Sequence, residues 1–320
     1  MKKPLLEIKN LAVNFEMKQA KIHAVRDVSL SVNAGETHCV VGESGCGKSV
    51  TAFSVMNLLE QNGKITNGDI LFDGKDLRKI SPEEFRKIRG KEMSMIFQDP
   101  MNSLNPVYRC GDQIAEVLTN HSDISKKDAL KEAIRMLDLV KVPNPEKRAM
   151  QYPHELSGGL RQRIMIAAAI ICKPKLLIAD EPTTALDVTI QKQILDLIAD
   201  LQKEIGMAIL FITHDLGVVR KIADKISVLY AGEVIESGNK NDIFGSPKHP
   251  YTIGLLNAIP KIGKTHEKLQ PIEGSLPDAS REIIGCAFEP RCPKRMEICK
   301  TQKPPKTESK THSFSCFAAV

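Results

Sequence analysis

Gly42-Glu43-Ser44-Gly45-Cys46-Gly47-Lys48-Ser49 carries the spacing G-x-x-x-x-G-K-[ST], which binds phosphate when it joins a strand to a helix. Both neighbours are present: the apolar run 38–41 leads into it, and a helical pattern with Val50 in its first turn follows. Gly42, Gly45 and Gly47 let backbone N–H groups converge on phosphate oxygens, with Ser44 and Cys46 completing the cradle. The helix N-terminus adds a favourable dipole. Lys48 has the reach for the β- and γ-phosphates, and the Ser49 hydroxyl suits Mg²⁺, so the expected ligand is ATP with magnesium.

Outward from this loop, apolar and β-branched runs at 5–13, 28–32, 37–41, 93–97, 176–180, 208–213 and 225–230 read as strands. Helical patterns fall at 48–59, 158–172, 190–204 and 216–223. The alternation predicts an α/β fold whose mostly parallel sheet is covered on both faces; together with the phosphate loop it resembles a P-loop NTPase (RecA-like) core. Short strands in the first ninety residues, such as 69–72, suit an antiparallel β subdomain. Residues 99–156 are helical and strand-poor, an inserted helical subdomain. Beyond about 238 the composition shifts to Pro, Lys and short elements. This divides the chain into an ATPase domain, 1–240, and a C-terminal accessory region, 241–320.

Composition narrows the functions available. Charged residues are 26% of the 320, and the formal charge of +6 falls short of the basic stripe of a nucleic-acid binder. At 4% aromatic with no Trp, base-stacking platforms are not expected, and no nucleic-acid partner is. The most apolar stretch, 164–171, is too short to cross a bilayer, and the N-terminus lacks an apolar leader. The expected location is the cytoplasmic face of the cell membrane, as a peripheral subunit.

Two further segments bear on phosphate chemistry. Leu176-Leu177-Ile178-Ala179-Asp180-Glu181 is a strand ending in two carboxylates: Asp180 suits water-mediated Mg²⁺ binding, and Glu181 suits polarising the attacking water. Leu156-Ser157-Gly158-Gly159-Leu160-Arg161-Gln162 opens a helix, with Ser157 as a natural N-cap and Gly158 and Gly159 exposing N–H groups. It is a second anion-binding helix terminus, separate from the first.

The order of phosphate loop, Gln98, LSGGLRQ, LLIADE, ALD (185–187) and His214 resembles the ATP-binding cassette (ABC) family over residues 5–237. The resemblance implies roles that spacing alone does not. Gln98 would contact Mg²⁺ and the attacking water, His214 the γ-phosphate, and Phe15 would stack on adenine. Asp187 would belong to the D-loop. Ser157, Gly158 and Gly159, with Gln162 in the same segment, would bind the ATP held by a second cassette subunit, so that ATP joins the pair.

The eight cysteines are unevenly placed. Cys39 and Cys172 sit in apolar runs as core fillers. Cys286, Cys292, Cys299 and Cys316 form C-x₅-C-x₆-C-x₁₆-C near the C-terminus. Four thiolates suit a [4Fe–4S] cluster or Zn²⁺; without a tight C-x₂₋₄-C hairpin, iron–sulfur is favoured over zinc and over unligated thiols. His249-Pro250-Tyr251-Thr252, 285–293 and 98–106 resemble the oligopeptide and dipeptide import branch, which nickel and opine importers share. That branch implies two transmembrane permease subunits and an extracytoplasmic peptide-binding protein, with the two cassettes commonly different chains. A soluble cassette acting on DNA or ribosomes is the competing class, but a second cassette or long coiled coil is missing from the sequence. A P-loop kinase or GTPase would leave LSGGLRQ and His214 without a role.

Overall fold

A computed structural model describes residues 3–18, 20–99, 103–184, 186–259 and 272–319. Its strands are β1 Leu6–Glu16, β2 Lys21–Val32, β3 Thr37–Val41, β4 Gly63–Phe72, β5 Lys75–Asp76 and β6 Met93–Ile96. They continue as β7 Leu176–Asp180, β8 Ala208–Thr213, β9 Lys225–Tyr230, β10 Glu233–Asn239, β11 Lys306–Glu308 and β12 Ser313–Ser315. The chain divides into two compact units, Met1–Val32 with Thr37–Arg78 and Ile212–Val320, and Asn33–Glu36 with Lys79–Phe211.

In the first unit the strand order is β5-β4-β1-β2-β10-β9-β3. β1 lies antiparallel between β2 and β4, giving the antiparallel layer expected near the N-terminus. β1 runs past its expected end at 13, with a register shift around Asn10, whose φ is 46°. β3 pairs parallel with β9 and is buried along its whole length, as an apolar run covered on both faces must be. β10, with Gly232 just before it and Gly238 within it, is a strand that the sequence pattern does not predict. It is antiparallel to β9 and, at Glu236 and Ser237, also pairs antiparallel with β12, itself paired with β11. The accessory region thus extends this unit's sheet.

In the second unit the order is β8-β7-β6, with β6 and β7 parallel and β7 wholly buried. Helices Cys110–His121, Lys126–Leu139 and Pro145–Ala149 occupy the strand-poor stretch. Ser125 caps the second of these through Asp128 N–H at 3.1 Å. Helices Gly158–Ile170 and Val188–Ile205 complete the described helices near the carboxylate strand. Among the described residues no helix is long and apolar enough to cross a membrane.

Candidate nucleotide site

The phosphate loop belongs to the first unit. β3 delivers the chain to Gly42, where a Cβ would lie 2.3 Å from the Leu229 carbonyl oxygen, so only glycine fits. Ser44 and Gly45 are exposed at the tip. Gly47, with φ 104°, turns the chain into helix Lys48–Val55, and a Cβ there would meet the Ala24 carbonyl at 2.6 Å. Lys48 is 4% exposed; its Nζ donates to the carbonyls of Gly42 (2.8 Å) and Glu43 (2.9 Å). The ammonium is therefore held over the loop by main-chain oxygens. Ser49 and Val50 are half-buried in the first turn. Cys46 is buried, and desolvation raises its thiol pKa, so it serves as filler rather than a nucleophile. Phe15, half-buried at the end of β1, lies against Gly63: a Cβ on that glycine would sit 2.8 Å from its ring. His214 is exposed just past β8, and Asp215 behind it caps helix Leu216–Ile222 through Gly217 N–H at 2.8 Å.

The carboxylates belong to the second unit. Asp180, the last residue of β7, is 2% exposed. Glu181 follows with φ 44°, the left-handed region that costs an ordinary side chain on the order of 1–3 kcal/mol. Gln98 Nε2 and Thr184 Oγ1 both donate to Glu181 Oε2, each at 3.0 Å. The predicted glutamine and carboxylate are thus together, and Thr184 joins them. Asp187 accepts from Ile190 N–H at 2.9 Å and caps helix Val188–Ile205. Pro100, Met101, Asn102 and Ala185 lie outside the described residues.

Ser157 stands at the N-cap position of helix Gly158–Ile170, but its side chain makes no capping bond, contrary to the expectation. A Cβ at Gly158 would meet nothing within 4 Å, whereas one at Gly159 would lie 3.0 Å from Ile190 Cγ2. Gly158 is thus not demanded by packing within this chain. Gln162 is 1% exposed, with its amide Nε2 buried and without a partner.

Residues 25–184 match the family described as ABC transporter, and 235–299 match the family described as Oligopeptide/dipeptide transporter, C-terminal region. The chain is 50% identical over 315 residues to the dipeptide transport ATP-binding protein DppD of Bacillus subtilis, covering 98% of this chain and 94% of that one. This chain belongs to the ABC transporter family. It is also 50% identical to the oligopeptide transport ATP-binding protein OppD of Escherichia coli, over 99% of this chain and 94% of that protein. Among solved structures, it is similar to the dimeric ATP-binding cassette MJ0796 in a post-hydrolysis state with ADP and Pi bound. That match has a TM-score of 0.66 at 28% identity, covering 73% of this chain and 98% of the other. The family makes the chain an ATP-hydrolysing subunit, and ATP its nucleotide.

The accessory region of this ABC ATPase touches the phosphate loop through residues to which the sequence motifs gave no role. Glu43 N–H donates to Tyr251 Oη at 3.0 Å. Arg291 Nη1 and Nη2 donate to the two carboxylate oxygens of Glu43, at 2.8 and 2.9 Å. The family segment His249-Pro250-Tyr251 thereby acquires a physical reading: His249 Nδ1 caps the helix by accepting Tyr251 N–H at 3.1 Å, Pro250 starts it, and Tyr251 reaches the loop.

The four tail cysteines are brought into electrostatic range of one another. Phe288, Lys294 and Ala318 donate backbone N–H groups to the sulfurs of Cys286, Cys292 and Cys316 respectively, each from two residues downstream. Cys286 N–H also donates to the Cys299 carbonyl at 2.8 Å. Yet among the described residues no group of three or more His, Cys, Asp or Glu is placed to hold a metal ion, so the expected metal centre is not closed. Burial pushes the Cys286 thiol up to about 11 and raises Cys292 and Cys316 too, so these groups stay protonated unless a cation draws them together.

Proposed function

We propose that this chain is one of two cassettes whose ATP hydrolysis powers uptake of di- or oligopeptides, at the cytoplasmic face of the cell membrane. The observation that carries this reading is the 50% identity to peptide-transport ATP-binding proteins running through the accessory region as well as the ATPase core. The partners are a second, paralogous cassette, two transmembrane permease subunits and an extracytoplasmic peptide-binding protein. Nickel or opine uptake by the same branch is the second reading.

In the proposed cycle, N–H groups of 42–50 cradle the phosphates, and Lys48 exchanges its carbonyl partners for the β- and γ-phosphate oxygens. Phe15 stacks on the adenine. Ser49, Asp180 and Gln98 are the residues that would hold the Mg²⁺ arriving with ATP, which would neutralise charge on the phosphates. Glu181 accepts the proton of the water that attacks the γ-phosphorus, the bond to the β-phosphate oxygen breaks, and His214 steadies the γ-phosphate. Two donors converging on Oε2 fix the plane of the Glu181 carboxylate for that step. Ser157, Gly158 and Gly159, with Gln162 behind them and Asp187 in the D-loop, serve the ATP of the other cassette. The open space at Gly158 favours this, because within this chain alanine would be the better helix residue.

The permease contact fits a cavity of about 800 Å³ in the helical region, lined by Leu104, Tyr108, Gln113 and Glu116 among others. Val107 and Tyr108, 72% and 58% exposed, present apolar surface beside it. We further propose that Cys286, Cys292, Cys299 and Cys316 hold a [4Fe–4S] cluster, with Zn²⁺ as the alternative. Four soft donors and N–H···S bonds suit either, and the cluster would supply charge that keeps the thiolates deprotonated.

Transport decides the substrate. The cassette co-purified with its permeases and reconstituted in vesicles should couple ATP hydrolysis to uptake of labelled di- and oligopeptides. Uptake of a nickel chelate but no peptide would overturn the peptide reading.

A further inference from the structure

We propose that Arg291 is a positioning residue for ATP: it reaches from the accessory region to hold Glu43, and so sets how tightly the phosphate loop takes nucleotide. The inference rests on the proposal that residues 42–50 bind ATP.

Glu43 is a joint. Its N–H goes to Tyr251, its carbonyl accepts Lys48 Nζ, and its carboxylate takes both arms of Arg291. Two of these three partners come from the accessory region, and the third is the lysine that must meet the phosphates. The arginine is itself fully committed. Nε donates to the Glu273 carbonyl (2.9 Å), Nη2 to that of Ile272 (3.1 Å), Nη1 approaches Tyr230 Oη (3.4 Å), and the guanidinium lies over the Tyr230 ring. Its side chain is 6% exposed against 28% for Glu43, so this pair is shielded, bidentate and pre-oriented. A shift of Glu43 would move the carbonyl that holds Lys48 and re-aim the N–H groups of Ser44 and Gly45 that follow.

Docking of the accessory region does not depend on this pair. Tyr230, Tyr251 and Phe288 interlock edge-to-face, with ring centroids 4.7–5.4 Å apart. Buried Glu236 accepts from Lys248 N–H and His249 N–H and pairs with His312 Nε2 at 2.7 Å, and β12 adds to β10. Loss of the Arg291–Glu43 bridge therefore loosens the loop while the region stays attached. Arg291 also ends the turn Glu289–Arg291, directly before Cys292, whose N–H donates to the Glu289 carbonyl at 3.1 Å. The thiol loop and the phosphate loop are joined through that turn.

The test is a double-mutant cycle in the full chain, with Arg291→Met, Glu43→Gln and the two combined. A fluorescent, non-hydrolysable ATP analogue reports affinity. Each single change should weaken binding about ten-fold, and the double no more than the weaker single. Arg291→Lys should fall between, and the nucleotide-free melting temperature should hold. In turnover, Arg291→Met should raise KM for ATP more than it lowers kcat. Wild-type affinity in both single variants, additive losses in the double, or a matching fall in nucleotide-free stability would overturn the proposal. Should Arg291→Met fail to fold, Glu43→Gln decides alone by the same affinity criterion. A wild-type protein that takes no ATP would instead sink the reading of residues 42–50.

Discussion

Gln98 and Glu181, 83 residues apart in the chain, meet in one hydrogen bond of 3.0 Å from amide to carboxylate. The bond fixes a carboxylate whose backbone is already held in the left-handed region. Converting that carboxylate to an amide keeps its size but removes the proton acceptor. Glu181→Gln should lower ATP hydrolysis by a factor on the order of 10²–10⁴ while ATP still binds. Size-exclusion chromatography with ATP should then show a trapped pair; hydrolysis at the wild-type rate would remove Glu181 from its role.

Lys48→Ala acts on a different step. It removes the charge that the main-chain carbonyls of Gly42 and Glu43 hold over the loop. Nucleotide affinity, measured by calorimetric titration, should fall at least about ten-fold. An unchanged affinity would contradict the assignment.

Gly158→Ala separates folding from pairing. The added Cβ meets nothing in this chain, and alanine is the better helix former by about 1 kcal/mol. The monomer should therefore melt no lower, while ATP-driven association and turnover decline. Undiminished turnover would mean that no second subunit approaches this helix terminus.

Two buried histidines make stability depend on pH. His38, bonded to the Ser31 carbonyl and Ser227 Oγ, is lowered by burial to about 3, and His249 likewise to about 4. Below the ordinary value of 6.5 the unfolded chain takes up protons that the fold refuses. Stability is thus complete above 6.5 and drains as pH falls toward 4, by about 1.4 kcal/mol per pH unit for each histidine. Urea midpoints at pH 7.5 and 5.5 should differ accordingly, and His249→Asn, which keeps a capping side chain, should flatten the difference. Equal midpoints in the parent protein would refute this.

For the tail, anaerobic purification should yield a protein absorbing near about 400 nm and carrying iron, and Cys292→Ser should lose both. A colourless chain with one zinc would favour the alternative metal.

The motif-bearing elements were legible because each is a local pattern. β3, β7, β8 and β9 fall at the expected bounds, since short apolar runs between turn signals leave little choice. Helix Lys48–Val55 ends earlier than its periodicity suggests, where Asn57 turns left-handed with φ 50°. β10 was hidden by Gly232 just before it and Gly238 within it, and by an apolar content limited to Val234 and Ile235. What the sequence could not display is pairing at a distance. Nothing local marks Glu43 as the partner of Arg291, nor Tyr251 as an acceptor for the loop, because such contacts exist only once the sheet is built. Ser157 shows the converse: the N-cap position was readable, but that its side chain makes no capping bond was not.

Biosynthesis gives the Arg291–Glu43 bridge another meaning. A ribosome releases the phosphate loop early, but the arginine that steadies it lies 248 residues downstream, and β12, which lengthens its sheet, comes later still. The nascent ATPase core therefore waits, unfinished, for its own far end. A chain cut short before position 291 would carry every nucleotide motif and still lack the brace on its phosphate loop, so premature termination would disarm the motor instead of releasing an unregulated one.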